Sequence, residues 1–382
     1  MKSRAAVLRG IDQQWQVEEI EVDAPKAGEV IVEWKAAGLC HSDEHMVTGD
    51  MVPPEEAWPL MGIDDMWPLI GGHEGAGVIA EVGPGVSSVA VGDHVSASFV
   101  PSCGRCRYCS TGRQNLCDAG AGAFLKGMIT DGTTRHHLAD GDPMLFAKLG
   151  TFANHTCVSE DQVIKVDTDL PLEAVALVSC GVATGWGSAT NRAAVSPGDT
   201  VVVVGIGGIG INAVQGAAMA GARRVIAVDP IEFKREKAME FGATDAFTSM
   251  EEALPAVMAL TEGMMADKVI MTPGVLHGEM MALGTQLAGK GGTIVVTAIA
   301  PMTQTESSVN LFELAMWNKE IKGTIFGSLN PRADIPRLLD LYRGGQLKLD
   351  ELITNRYSLD DINIGYQALR DGTNIRGVIV HG

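Results

Sequence analysis

The sequence predicts an α/β protein in which a β-rich domain precedes a doubly wound parallel sheet. In the first part of the chain, short apolar runs alternate with glycine and proline, which is the pattern of antiparallel strands. From Gly198 onward, apolar strand-like runs alternate with helix-like segments, which indicates a parallel sheet covered by helices. With 382 residues, the chain is long enough for two domains that each bury a core.

The β-rich domain is predicted from runs such as A-A-V-L, W-Q-V-E-E-I-E-V and V-I-V-E-W within residues 4–34. G-V-I-A-E-V and G-D-H-V continue the pattern within residues 77–100. We expect a barrel-like arrangement of antiparallel strands whose loops carry the cysteines and histidines.

A dinucleotide site is predicted at the start of the parallel sheet. The run V-V-V-V-G-I-G-G-I-G combines a buried strand with a glycine turn formed by Gly205, Gly207, Gly208 and Gly210. Three of these glycines form G-x-G-x-x-G, which permits the turn, the approach of a pyrophosphate and tight helix packing. The helix that follows can bind phosphate at its N-terminus.

The second strand of this unit ends at Asp229, at the distance expected for a ribose-binding carboxylate. A carboxylate there would accept from the ribose hydroxyls and repel a 2′-phosphate, so NAD is favoured over NADP. A helix N-cap is the alternative role, since Pro230 follows.

A catalytic metal site is predicted from three separated motifs. Cys40 opens C-H-S-D-E-H, His73 lies in G-G-H-E-G-A-G, and Cys180 lies in V-S-C-G-V-A-T-G. The glycines beside His73 and Cys180 suggest tight turns that aim a side chain into a cleft. Two cysteines and one histidine form a known catalytic zinc set with a fourth position open. Taken alone, the Cys-x-x-x-x-His fragment would also be compatible with a non-metal role.

A second, structural zinc site is predicted from the cysteine cluster C-G-R-C-R-Y-C-S-T-G-R-Q-N-L-C. An iron–sulfur run is the alternative, but its last gap is shorter and ends in Cys-Pro, whereas Asp118 follows here. The seventh cysteine, Cys157, is expected to be a small buried residue. The four predicted ligands of this site are Cys103, Cys106, Cys109 and Cys117.

Charge and composition limit the classes of partner. The formal net charge of −18 would repel phosphate backbones and anionic lipid surfaces, so we expect neither nucleic acid nor a membrane as a partner. Arg9 interrupts the first apolar run, so no signal peptide is evident and a cytoplasmic location is expected. The apolar stretch Val201–Ala222 carries six glycines and an asparagine, which favours a strand, a turn and a helix over a membrane span.

The segment between the two histidine motifs, residues 46–72, is unusual in composition. Its prolines interrupt every candidate for a long helix, and it carries two Trp-Pro pairs. Two interpretations stay open: an ordered loop over the site, or a surface insertion whose tryptophans pack locally.

Taken together, these motifs resemble those of the zinc-dependent medium-chain alcohol dehydrogenases over essentially the whole chain. The resemblance rests on C-H-S-D-x-H, G-H-E-G-A-G, the four-cysteine run, C-G-V-A-T-G, G-I-G-G-I-G with Asp229, and the terminal N-I-R-G-V-I. The similarity is greatest to the nitrosoaniline-dependent subgroup, whose relatives keep NAD bound. It implies a β-rich GroES-like catalytic domain at 1–183 with a zinc lobe at 100–118, a Rossmann domain at 184–325, and a returning segment at 326–382.

The resemblance also implies roles for individual residues near the zinc. Cys40, His73 and Cys180 would hold the catalytic ion. Ser42 would take the proton of the alcohol and pass it, through the cofactor ribose, to His45 near the surface. Glu74 would be an acidic group close to the zinc; a surface carboxylate is the alternative.

For NAD, the resemblance implies four further contacts. His41 and Arg376 would face the pyrophosphate, Lys234 the adenosine ribose, and Thr184 the nicotinamide. A solvated surface charge is the alternative for Arg376 and Lys234. Phe99, Phe152 and Trp186 fall near the substrate or the nicotinamide, with aromatic core packing as the alternative.

The predicted activity is zinc-dependent oxidation of an alcohol to an aldehyde or ketone, with hydride transfer to NAD. Within the same class, the enzyme could oxidise a thiol adduct of formaldehyde, or it could recycle an NAD that stays bound. A zinc-binding protein with an inactive dehydrogenase fold is the alternative from another class. Relatives are dimers or tetramers, so a homo-oligomer is expected.

Overall fold

The computed structural model describes residues 1–382, which divide into two compact units. The first unit comprises residues 1–180 and 330–382, and the second comprises residues 181–329. The predicted fold class is confirmed. The first unit is β-rich and contains two sheets, and the second contains one parallel sheet with helices between its strands.

The chain forms eighteen strands and eleven α-helices, joined by turns that include short 3₁₀ and π-helical segments. The strands are β1 (Lys2–Leu8), β2 (Gln16–Val22), β3 (Glu29–Gly38), β4 (Leu69–Ile70), β5 (Gly75–Val82), β6 (His94–Ala97), β7 (His136–His137), β8 (Met144–Leu145), β9 (His155–Ser159), β10 (Val163–Val166), β11 (Thr200–Val204), β12 (Arg224–Val228), β13 (Asp245–Phe247), β14 (Ala266–Met271), β15 (Ala288–Val296), β16 (Glu320–Gly323), β17 (Ile353–Tyr357) and β18 (Arg376–Val380). The helices are α1 (His41–Val47), α2 (Trp58–Met61), α3 (Leu172–Leu177), α4 (Ala183–Gly187), α5 (Gly210–Met219), α6 (Glu232–Glu240), α7 (Met250–Leu260), α8 (Met280–Leu287), α9 (Leu311–Met316), α10 (Pro331–Arg343) and α11 (Ile362–Arg370).

The first unit places its metal-binding motifs at the ends of strands. One sheet has the order β7-β2-β1-β4-β8, and the other has the order β10-β6-β5-β3-β18-β17 with β9 also paired to β3. Most of these pairings are antiparallel, as the alternating sequence predicts. β3 leads directly into Cys40 and α1, while β4 and β5 flank His73. The ends of three strands and one helix therefore meet where the predicted zinc ligands lie.

The second unit is a six-stranded parallel sheet with the order β13-β12-β11-β14-β15-β16. Its first strand, β11, lies between β12 and β14, so the chain direction across the sheet reverses beside β11. In open α/β sheets, such a reversal leaves a crevice at the carboxyl ends of the strands where ligands bind. The glycine turn that follows β11 stands at this position.

The predicted strand over K-G-T-I-F-G is shorter than expected. β16 ends at Gly323, and Phe326, Gly327 and Ser328 have φ angles of 53°, 60° and 54°. Positive φ angles lie outside the region that strands occupy. A 3₁₀ turn over Phe326–Ser328 therefore replaces the end of the predicted strand.

The two apolar stretches that could suggest a membrane span are both built into the fold. Val201–Ala222 forms β11, the glycine turn and α5, which confirms the predicted strand, turn and helix. The helical stretch Leu172–Arg192 is long and apolar enough to cross a membrane, but 89% of its most apolar window is buried in the protein. It has the character of a core helix.

Residues 46–72 form no long helix, as their prolines predict. After α1 the chain makes a 3₁₀ turn at Glu55–Ala57, the short α2, and then β4. Trp58 and Trp67 are partly buried and pack against the hydrophobic core of the first unit. Leu60, in contrast, is 92% exposed. The segment is thus attached to the core by its tryptophans and by the buried Ile63 and Met66, while Leu60 faces outward.

Candidate functional site

The three predicted catalytic ligands converge inside the first unit. Cys40, His73 and Cys180 are buried, and their ligand atoms all lie within 4.8 Å of one another. His73 Nε2 is 3.2 Å from Cys180 Sγ. Cys40 occupies the N-cap position of α1, His73 lies between β4 and β5, and Cys180 lies in a π-helical turn. The tight turn expected around Cys180 is therefore wrong, because its flanking glycine continues a helix.

The turn before His73 does require glycine. Gly72 has a φ of 91°, and a Cβ there would lie 2.5 Å from both the Phe152 backbone nitrogen and Thr151 Oγ1. Only glycine combines this backbone conformation with such close packing. The turn is thereby fixed, and it directs the His73 imidazole toward the two thiols.

Asp43 holds His73 from the other side. Its Oδ2 lies 2.9 Å from His73 Nδ1, and its Oδ1 accepts a 2.7 Å hydrogen bond from the Gly72 backbone N–H. A metal-binding histidine usually donates its second N–H to a carboxylate, which fixes the ring and leaves the other nitrogen for the metal. Sequence reasoning gave Asp43 no role, although its position within C-H-S-D-E-H beside a ligand was the available signal.

The electrostatics of this cluster suit a divalent cation. A hydrogen bond from the Cys180 thiol and the nearby His73 hold the pKa of Cys40 well below its usual range. The hydrogen bond to Cys40 and burial raise the pKa of Cys180 well above its usual value. Burial lowers the pKa of His73, but Asp43 and Cys40 outweigh burial and raise it overall. A bound zinc ion would let both cysteines ionise and His73 stay neutral.

The four cysteines of the second predicted site also fit zinc. Cys103 Sγ lies 3.9 Å from Cys109 Sγ, and Cys106 Sγ lies 4.0 Å from Cys117 Sγ. A tetrahedral ion with zinc–sulfur bonds of about 2.3 Å separates its sulfurs by about 3.8 Å. In a four-iron cluster, each thiolate binds a different iron, which would separate the sulfurs further. Backbone hydrogen bonds lower the pKa of Cys106 to about 6, which favours the thiolate that a metal needs.

Of the two proposed proton-relay residues, Ser42 contacts a predicted zinc ligand. Ser42 Oγ is 3.7 Å from Cys40 Sγ, and the ring centroids of His41 and His45 are 5.5 Å apart. His41 is exposed, but the His45 side chain is only 2% exposed, so its expected position near the surface is wrong. The reason is local: α1 turns His45 inward, and Asp50 Oδ2 lies 3.0 Å from its Nδ1. Asp50 also had no role in the sequence interpretation.

Glu74 and Arg376 form one buried ion pair. Their side chains are 0% and 3% exposed, and Arg376 Nη2 donates to Glu74 Oε2 and to the Leu39 carbonyl. A Cβ at Gly38 would lie 2.2 Å from Glu74 Oε2, so glycine is required beside the pair. The surface alternatives for both charges are therefore wrong. Both charges also act on the Cys180 thiol, with Glu74 raising its pKa and Arg376 lowering it.

The glycine turn of the second unit leaves space where a pyrophosphate is expected. Gly205 has a φ of 88°, and a Cβ on Gly210 would lie 1.8 Å from the Gly205 carbonyl oxygen. These two glycines are needed by the fold itself. A Cβ on Gly207 would meet nothing within 4 Å, which leaves room for a ligand against the backbone. Gly208 is half-buried, and its carbonyl accepts from Asn212 Nδ2 at 2.8 Å.

Asp229 lies next to this turn and holds it. Its Oδ2 accepts from the Ile206 backbone N–H at 2.7 Å, and its Oδ1 accepts from the Ile231 N–H at 2.9 Å. Ile231, and not Asp229, is the N-cap residue of α6. Lys234 is half-buried on α6. Elsewhere in the unit, the buried Thr184 Oγ1 has no hydrogen-bond partner within the protein.

Aromatic rings border the zinc cluster. Phe99 and Phe146 both present edge contacts to the His73 ring, with centroid distances of 5.7 Å and 5.2 Å. Phe152, in contrast, is fully buried and packs against Trp15 and Tyr366, so its core-packing interpretation holds. Phe146 was not singled out from the sequence, since nothing in its local pattern separates it from other core aromatics.

The fold and the two thiolate sites define a zinc-dependent medium-chain dehydrogenase. Residues 26–168 match the family described as "Alcohol dehydrogenase GroES-like domain", and residues 208–343 match "Zinc-binding dehydrogenase". The chain belongs to the zinc-dependent medium-chain alcohol dehydrogenases, and it is an enzyme that oxidises an alcohol.

Curated relatives cover the whole chain. It is 52% identical over 381 residues to "NDMA-dependent alcohol dehydrogenase" of Amycolatopsis methanolica, covering 100% of this chain and 99% of that protein, which agrees with the predicted subgroup. It is 50% identical over 381 residues, and 100% of both chains, to "Putative alcohol dehydrogenase D" of Mycobacterium tuberculosis. The crystal structure of benzyl alcohol dehydrogenase from Acinetobacter calcoaceticus is similar with a TM-score of 0.89 and 28% identity over 100% of both chains.

Replacing one cysteine in each cluster should distinguish the catalytic metal site from the structural one. We expect Cys106→Ser to lose about one zinc per chain and to lower the melting temperature, because a structural zinc contributes directly to folding. Cys40→Ser should also lose zinc but should melt close to the parent protein. Metal analysis and thermal unfolding of both variants test this assignment. A Cys106→Ser protein as heat-stable as its parent would contradict the structural role.

Proposed function

We propose that this enzyme uses one catalytic and one structural zinc per chain and transfers hydride reversibly between an alcohol and NAD. The observation that carries the proposal is the convergence of Cys40, His73 and Cys180 beside the Ser42 hydroxyl. Three protein ligands are what a catalytic zinc site uses when its fourth position serves water or substrate. The remaining four cysteines form a closed set, which suits an ion that only stabilises structure.

The protein side of the reaction is proton removal and positioning. When bound, zinc would make the alcohol hydroxyl more acidic as a Lewis acid, and NAD would accept the hydride. Ser42 can both accept and donate, so it would take the proton from the alcohol and pass a proton on toward His45. Phe99 and Phe146, beside His73, would provide an apolar wall that excludes water from the reacting carbon.

Fixed charges would orient the cofactor. Glu74 holds the Arg376 guanidinium in place, while the buried Arg376 Nε has no hydrogen-bond partner within the protein. An anionic pyrophosphate would satisfy that donor. Two further features support NAD binding. There is free space beside Gly207, and the Thr184 hydroxyl has no hydrogen-bond partner within the protein. His41 and Lys234 would add positive charge at the phosphate and ribose.

Two refinements of this function have support among the relatives. The 52% identical relative is named for its dependence on NDMA, a nitrosoaniline that serves as an external electron acceptor. This dependence favours an NAD that stays bound and is reoxidised in place by the acceptor. A relative from Paracoccus denitrificans that is 37% identical over 389 residues is named "S-(hydroxymethyl)glutathione dehydrogenase", which favours a thiol adduct of formaldehyde as the substrate. The higher identity supports the first refinement.

An assay of the purified enzyme with a panel of alcohols, with and without glutathione and with and without added NAD, tests the function. We expect oxidation of alcohols without a thiol, turnover with NDMA without added NAD, and about one NAD released per chain on denaturation. His73→Ala should abolish this turnover because it removes a zinc ligand. Undiminished oxidation by a zinc-depleted, folded His73→Ala protein would contradict the proposal.

Asp229→Gly should weaken the discrimination between NAD and NADP, because it removes the carboxylate that would repel a 2′-phosphate. It also removes acceptors for two backbone N–H groups, so the comparison needs Asp229→Asn, which keeps an acceptor but not the charge. Kd values for both cofactors, measured on protein freed of bound NAD, provide the readout. Unchanged selectivity between NAD and NADP in both variants would mean that Asp229 only holds the backbone of the turn.

We also propose that two copies of the chain associate through the edge of the parallel sheet. β16 is the edge strand, and the neighbouring α9 exposes Leu311 and Phe312 at 72% and 71%. An open strand edge beside exposed apolar side chains is a typical surface for self-association. Phe312→Asp should reduce the mass seen by sedimentation, whereas Leu60→Asp, at a residue 92% exposed in the first unit, should not. An unchanged mass for Phe312→Asp would contradict this surface.

A further inference from the structure

The buried imidazole of His45 has a carboxylate partner outside the metal-binding motif. Asp50 Oδ2 lies 3.0 Å from His45 Nδ1, and the two side chains are 20% and 2% exposed. Water is therefore largely excluded from the histidine, and the contact is made in a partly buried setting where such hydrogen bonds are strong.

The chain folds back after α1 in a way that creates this contact. The Thr48 backbone N–H donates to the Glu44 carbonyl at 2.8 Å, and Gly49 then takes a φ of 84°. The Met51 N–H donates to the His45 carbonyl at 3.1 Å, which returns the chain beside the histidine. Thr48 Oγ1 donates to the same Asp50 oxygen at 2.6 Å and so holds the carboxylate in place.

The other acids on α1 have different partners. Asp43 accepts from Gly72 and contacts His73. Glu44 binds the Arg370 guanidinium, with distances of 2.6 Å to Nε and 3.4 Å to Nη2. The only other titratable ring in contact with His45 among these residues is His41, at 5.5 Å between centroids. Asp50 is therefore the carboxylate that acts on His45.

An ionised carboxylate only accepts hydrogen bonds, so the nitrogen that faces Asp50 must carry the proton of the neutral imidazole. We propose that Asp50 is a positioning residue that holds His45 in the Nδ1–H tautomer, with Nε2 as the nitrogen that accepts a proton. This inference rests on the proposed function, because Nε2 is then the end point of the proton path that starts at Ser42. Without Asp50, the imidazole could place its proton on Nε2 and block that path.

The tautomer can be observed directly, without turnover, by long-range ¹H–¹⁵N NMR of protein with ¹⁵N-labelled histidine. His45→Gln identifies the His45 signals among the nine histidines. We expect the Nδ1–H pattern in the parent protein and in Glu55→Ala, a matched loss of an exposed acid in the same segment. Asp50→Ala should shift His45 toward the Nε2–H form, and Asp50→Glu should restore at least part of the parent pattern. An Nδ1–H pattern that persists in Asp50→Ala would overturn the assignment.

Kinetics of the holoenzyme then show whether Asp50 acts through His45. Asp50→Ala should lower kcat about ten-fold with little change in KM, which is part of the roughly 10²–10⁴-fold that a positioned proton-transfer group contributes. In a His45→Gln background, Asp50→Ala should change kcat by less than about two-fold, because the effects of substitutions at coupled residues are not additive. An equal loss in both backgrounds would overturn the positioning role. Zinc content and melting temperature, measured on each variant, separate these effects from misfolding.

Failure of the two proposals can be distinguished. A parent protein that binds zinc and NAD but oxidises no alcohol would contradict the proposed function alone, and the NMR spectra would still decide the tautomer. An active parent whose kcat is unaffected by Asp50→Ala would overturn the role of Asp50 and leave the proposed function intact.

Discussion

The contact between Asp43 and His73 is the constraint on which the catalytic site depends. One carboxylate oxygen lies 2.9 Å from the imidazole, and the other accepts from the Gly72 backbone, so a single buried side chain joins α1 to the turn between β4 and β5. Burial raises the pKa of Asp43, and His73 opposes that rise. A buried carboxylate that loses its hydrogen-bond partner keeps its desolvation cost uncompensated, which amounts to about 1–3 kcal/mol or more. The ligand geometry is therefore fixed by the fold before any metal binds.

A second pair of buried polar side chains fixes the structure next to the predicted zinc ligands. Glu74 and Arg376 are both buried, and each would be costly alone, so their ion pair fixes the last strand of the chain beside β3 and the ligand motifs. The two units have different proposed roles. The first unit holds the residues of the proposed zinc sites and of the proposed proton path, and the second unit holds the glycine turn and Asp229, which are proposed to bind the dinucleotide. In both units, glycines stand where backbone or ligand must approach closely, as at Gly72 and Gly205.

Much of the fold and site could be predicted because motif chemistry is local. Metal ligands, the glycine turn and the strand–helix alternation depend on residue type and spacing, and the cysteines and His73 were found in this way. Pairings across the chain could not be found, since Glu74 and Arg376 lie 302 positions apart and show no shared pattern. The burial of His45 depends on the fold-back after α1, and the early end of β16 depends on positive φ angles at Phe326 and Ser328. Such features are set by tertiary packing and not by periodicity.

The central claim is that Cys40, His73 and Cys180 bind a zinc ion that is distinct from the ion of the four-cysteine lobe. Anomalous diffraction at the zinc absorption edge, from crystals of the purified enzyme, tests it most directly. The account predicts two peaks per chain, one of them bonded to the two sulfurs at about 2.3 Å and to His73 Nε2 at about 2.0–2.1 Å. A single peak in the cysteine lobe, with none between these three residues, would contradict it.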